Sequence, residues 1–162
     1  MASKMNDIYV AVYDLQMGPD GQLYVIGLRS SSFVVDRYTL TAGDALLLEG
    51  TLTSIRTTEG YDFRGITFMG GEMILVNTKG DNLLRFSMSL PAQPLGASPV
   101  IQYLKGPIAL GQSVFTDGDQ ILFAVTSNGV RAISFKGGAF TVLDSYNAEF
   151  IRHSAATDVA IR

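Results

Sequence analysis

One turn-and-strand unit recurs three times in this chain. The copies read Gly18-Pro19-Asp20-Gly21-Gln22-Leu23-Tyr24-Val25, Met69-Gly70-Gly71-Glu72-Met73-Ile74-Leu75-Val76 and Thr116-Asp117-Gly118-Asp119-Gln120-Ile121-Leu122-Phe123. Gly21, Gly71 and Gly118 lie about 50 and 47 residues apart. Self-similarity at that period is the mark of radial repeat architectures, in which each copy is one supersecondary unit.

Each copy continues alike. An apolar strand follows the turn (Leu23 to Leu28, Met73 to Val76, Ile121 to Val125). After a polar break comes a second strand carrying an arginine: Phe33 to Tyr38, Leu83 to Met88, Val130 to Phe135. A further strand is expected at Ala45 to Ile55, Val100 to Leu104 and Phe140 to Leu143. Strand-like segments also precede the turns, at Tyr13 to Met17, Gly65 to Met69 and Ser113 to Thr116. About four strands per copy, punctuated by Gly, Asp and Asn, describe an antiparallel meander. Leu23, Val25, Leu75, Leu84, Ile121, Phe123 and Ile133 are its expected core.

The unit resembles a blade of the six- and seven-bladed β-propeller families. The similar features are an inner strand, an Asp-Gly turn, and an apolar strand of the type Gly-x-Leu-Tyr-Val, over roughly residues 13 to 145. The chain lacks the Trp-Asp dipeptide and a kelch-type double glycine with its aromatic partners. The expectation is therefore an all-β, β-propeller-like domain over residues 1–162, with blade-like repeats at about 13–60, 61–108 and 109–156. A β-sandwich or barrel is the alternative. Propeller rings hold about four to eight blades, so three copies leave a ring to be closed. Asp7 to Tyr13 and Thr157 to Ile161 read as spare strands that pair within the chain or complete a ring by oligomerisation. Open sheet edges favour such completion.

Hydrophobic residues make up 47% of the chain, enough for a packed core rather than a disordered polymer. Charged residues are only 17%, below the roughly 25% of ordinary globular domains. That deficit points to surface covered by partner subunits, or to a neutral Ser/Thr/Asn/Gln surface. No apolar run approaches a membrane span. The N-terminal residues lack the features of a secretory signal, so a cytoplasmic or virion location is expected. The net charge of −3 and scattered arginines disfavour nucleic acid, which requires concentrated positive charge.

Chemistry-bearing motifs are few. Cysteine is absent, which excludes disulfides and thiolate metal sites. His153, the only histidine, lies in Ile151-Arg152-His153-Ser154, without the oriented base and nucleophile of a hydrolase. Asp117-Gly118-Asp119 is too short for a twelve-residue calcium loop and reads as a turn. No catalytic residue, cofactor or metal is assigned, and the chain is read as non-enzymatic.

Arg37, Arg85 and Arg131 stand in comparable strands of the three copies. In register they would form a ring able to contact a partner chain, an acidic group or a sugar through fork-shaped hydrogen bonds. Otherwise they are solvent-facing strand residues. The proline-rich segment from Pro91 to Pro99 reads as a surface loop, or as an ordered arm.

Two functions follow. One is a structural or assembly module of a larger homo-oligomeric or multi-protein particle, for instance a virion component, whose partners are its own copies or other structural proteins. The alternative is a propeller that binds a small ligand or glycan; the lack of tryptophan weakens a lectin reading.

Overall fold

A computed structural model describes residues 8–43, 45–98, 109–114, 120–126 and 129–146, with side chains for 8–43, 45–98 and 133–141. These residues form three open four-stranded antiparallel sheets, none closed into a barrel. Sheet 1 contains β1 (Ala11–Met17), β2 (Leu23–Arg29), β3 (Ser32–Leu40) and β4 (Leu46–Arg56). Sheet 2 contains β5 (Phe63–Met69), β6 (Glu72–Asn77), β7 (Asn82–Phe86) and β8 (Pro94–Ala97). Sheet 3 contains β9 (Ala109–Val114), β10 (Gln120–Thr126), β11 (Gly129–Lys136) and β12 (Ala139–Tyr146). Each sheet is a meander in chain order.

Turn chemistry sets the hairpins. Gly70 and Gly71 join β5 to β6 with φ of 57° and 76°, and Gly137 and Gly138 join β11 to β12 with φ of 57° and 79°. Two consecutive positive φ angles give the primed turn whose twist matches paired strands, and glycine adopts them without strain.

Strands β1, β5 and β9, the first of each sheet, lie side by side, with β5 next to both others. Side chains alternate across a strand, so a sheet buried on both faces reads as continuously apolar. This explains Met73-Ile74-Leu75-Val76 in β6. Met73 and Leu75 face sheet 1, where Tyr24, Ile26, Phe33 and Val35 meet Phe63 and Phe68. Ile74 and Val76 face sheet 3, where they meet Ile133 and Phe135. Tyr24 stands edge-on to Phe68, ring centres 4.7 Å apart, and Phe33 edge-on to Phe63 at 5.9 Å. Asp14 Oδ2 accepts the Ile66 backbone N–H at 2.9 Å and ties β1 to β5.

Several expectations are corrected. The fourth strand of sheet 2 is β8, inside the segment read as a loop; Val100 to Leu104 lies outside the described residues. β8 is an exposed edge, where proline is tolerated because its missing N–H faces solvent. The stretch before β8 is an ordered brace. Ala92 donates its backbone N–H to Leu52 O in β4 at 2.9 Å, and Leu90 covers Gly50 so closely that a Cβ there would lie 2.9 Å from it. At the N-terminal side no separate strand occupies Ile8 to Val10; β1 itself begins at Ala11. Thr157 to Ile161 lies outside the described residues. Val25, Leu75 and Ile133 are fully buried, whereas Leu23 and Leu84 are half-buried. The side chains of Ile121 and Phe123 are outside the described set.

Candidate functional site: the outer face of the first sheet

Sheet 1 has a second face, turned away from sheet 2. Its centre is Val25, Val34 and Tyr38, packed with Tyr9 and bordered by Ile8, Leu23 and Leu46. The strand register places further apolar residues on that face. Leu15 pairs with Val25, Met17 with Leu23, Leu48 with Tyr38 and Leu40 with Leu46. These are open to solvent: Leu15 is 56% exposed, Met17 54%, Leu40 58% and Leu48 39%. The face is therefore an apolar sheet surface covered only at its middle. β2 reads Leu23-Tyr24-Val25-Ile26, the doubly buried pattern seen in β6, yet among the described residues only its Tyr24 and Ile26 side meets another sheet.

The covered middle is polar beneath its ring. Asp36 is fully buried in β3. Its Oδ2 accepts from Tyr9 at 2.5 Å and from Arg29, and its Oδ1 accepts from Thr51 at 2.6 Å. The Tyr9 and Tyr38 hydroxyls share a further bond of 2.7 Å. A buried carboxylate is tolerated when donors replace its water, and three side chains supply them here. Burial, and then Asp36, holds the Tyr9 hydroxyl far above the ordinary phenol range. The Tyr9 ring lies against Gly27, where a Cβ would come within 2.4 Å of it. The network pins the chain before β1 across β2 and β3.

The arginines occupy other places. Tyr38, Phe86 and Phe135 pair with Leu23, Met73 and Gln120 at the start of each second strand. The residues just before those aromatics are Arg37, Arg85 and Ser134. Arg37 and Arg85 therefore share a register, while Arg131 pairs with Ala124, further along. The Arg131 side chain is outside the described residues.

Arg37 Nε donates to Glu49 at 2.6 Å, and its Nη1 lies 3.5 Å from Met88 O, in the brace. The Tyr24 hydroxyl, ahead of Glu49, raises the Arg37 pKa. Glu49 is held below its usual range by the Thr39 hydroxyl first and Arg37 next. Arg85 donates to both oxygens of Glu72 at 2.7 Å and to Gly138 O in the next sheet. Both arginines thus link their own sheet to the following one.

No site for nucleophilic catalysis assembles among the described residues, and no group of three His, Asp or Glu side chains there could hold a metal. His153 and Asp117-Gly118-Asp119 lie outside them. The outer face escaped sequence reading because each of its residues looks like ordinary strand core. The one available signal was β2, apolar on both faces in the first copy, which requires a cover on each side.

No protein-family model matches the chain, and no curated protein matches it. Solved structures do share its fold. A protein from Lactobacillus plantarum is 17% identical with a TM-score of 0.56, over 83% of this chain and 40% of its own. A protein of unknown function from Bacteroides caccae is 12% identical with a TM-score of 0.53, over 85% of this chain and 46% of its own. At these identities the likeness is one of fold. The chain spans less than half the length of either.

Proposed function

We propose that this chain is a non-enzymatic assembly module, whose three sheets are consecutive blades of a propeller-like ring completed by a second copy. The outer face of sheet 1 carries the reading. Its opposite face meets sheet 2 through aromatic and aliphatic side chains, and the outer face offers the same chemistry with its rim uncovered. A sheet of the same kind is the cover that fits. In a two-copy ring, sheet 1 of each chain packs on sheet 3 of the other and gives six blades, within the usual range for closed rings. Two independent facts support this. The match takes up only 40% and 46% of the solved structures of similar fold, which continue well beyond it, and the low charge content suits a surface buried by a partner.

Full burial of a Leu or Met side chain contributes about 1.5–3 kcal/mol; the four rim residues are about half exposed, so covering them adds a part of that each toward association, alongside the rest of the face. Sedimentation equilibrium should give twice the chain mass. The melting temperature should rise with protein concentration, because subunit binding stabilises by mass action. Leu15→Glu with Met17→Glu places charge on the rim and should yield a folded monomer. A parent that stays monomeric at high concentration, with a concentration-independent melting temperature, overturns the reading.

A further inference from the structure

We propose a second site, independent of assembly: the cleft between the outer strands of sheets 1 and 2 binds a small organic amine. The cleft has a volume of about 480 Å³, within the range that holds small molecules. Its walls are apolar, with Ile55 from β4, Leu84 and Phe86 from β7, Ala92 from the brace and Pro94 from β8, and Tyr61 contributes a half-buried ring.

The polar groups decide the ligand's charge. Two charged side chains line the cleft, Arg85 and Glu59. Arg85 is matched by the two oxygens of Glu72 and spends its third nitrogen on Gly138 O. Its charge is neutralised by a residue outside the cleft. Glu59 has no ion-pair or hydrogen-bond partner among the described residues. It ends a short helical turn, Thr57–Glu59, which is anchored by the Thr57 backbone N–H on Ser31 O at 2.9 Å. Among the described residues the unmatched charge of the cleft is thus negative, and it stands two residues from Tyr61.

An ammonium meets both a carboxylate and the face of an aromatic ring favourably. An apolar body fits the aliphatic wall. A carboxylate ligand would meet Glu59 and find Arg85 already taken. The ligand class is therefore a primary amine on an aromatic or aliphatic stem, whether free or as the side chain of a peptide lysine.

The test compares three probes of one size, phenethylamine, phenethyl alcohol and phenylacetate, by methyl chemical shifts at Ile55 and Leu84. The amine should bind several-fold more tightly than the alcohol, and the carboxylate most weakly. Glu59→Gln should erase the preference of amine over alcohol while leaving the alcohol unchanged. Glu59 is exposed, so that variant should melt with the parent. Absence of shifts with every probe overturns the site. Equal binding of amine and carboxylate, or an amine preference that survives in Glu59→Gln, overturns the charge assignment and with it the proposal.

Discussion

The Tyr9 hydroxyl donates to Asp36 Oδ2 across 2.5 Å, joining the segment before β1 to the middle of β3. Asp36 is wholly enclosed, so the phenol stands where water would otherwise be. Tyr9→Phe keeps the ring over Gly27 and removes the donor alone. A buried acceptor that loses a partner loses about 1–3 kcal/mol. Urea denaturation should show a drop of that size. Gly27→Ala, which pushes the ring away, should be at least as damaging. An unchanged midpoint in Tyr9→Phe would mean that Arg29 and Thr51 suffice for the carboxylate.

That pair also marks the boundary of what the sequence discloses. Strand and turn positions follow from nearest-neighbour chemistry: Gly70-Gly71 before an apolar run, or Asp20-Gly21 before Leu23. Such signals place most of the described strands near their positions, while β9 (Ala109–Val114) starts four residues before the expected Ser113. β8 was missed because Pro94 and Gly96 are read as breakers unless the strand is known to be an edge. Contacts between Tyr9 and Asp36, or between Arg85 and Gly138, span 27 and 53 positions and leave no local signature. The same holds for the arginines. Each second strand carries an arginine, but they lie 16, 14 and 13 residues after Gly21, Gly71 and Gly118, and the pairing shows that Ser134 stands where the third would be. The cleft depends on the brace crossing to β4, a tertiary event with no periodic cue.

Alkaline pH should destabilise the protein through Tyr24. Burial first, and then the bond it donates to Asp20 Oδ2 at 2.8 Å, pushes Tyr24 up to about 12. Unfolding returns it to the ordinary value of about 10. The fold therefore favours the neutral phenol. That contribution is complete below pH about 10 and is lost as pH rises through about 12. Tyr9, raised by the same cause, acts in the same direction. The denaturation midpoint should decline from pH 10 upward, and Tyr24→Phe should shallow that decline. A parent stability that is flat from pH 10 to 12 would refute the assignment.

Arg85 should hold sheets 2 and 3 together. It grips both Glu72 oxygens and reaches Gly138 O in the β11–β12 turn, with its guanidinium carbon 5.2 Å from the Phe135 ring centre. The Glu72 bonds raise its pKa further, so the charge persists at any accessible pH. Its side chain is 16% exposed and that of Glu72 20%. Such a pair is worth more than a fully exposed one, whose median lies at about 0–1 kcal/mol. Removing it in Arg85→Ala should cost about 1.5–3 kcal/mol, the range for charged hydrogen bonds. Arg85→Lys should restore little, because one ammonium cannot span two carboxylate oxygens and a carbonyl in the next sheet. Arg37→Ala should cost less, since its reach to Met88 O is at the 3.5 Å limit. Hydrogen exchange separates a local from a global effect. In Arg85→Ala the amides of β11 and β12 should lose protection while those of sheet 1 keep it. Equal loss across all three sheets would show a global effect, and full rescue by lysine an effect of charge alone; either would refute Arg85 as the link between two sheets.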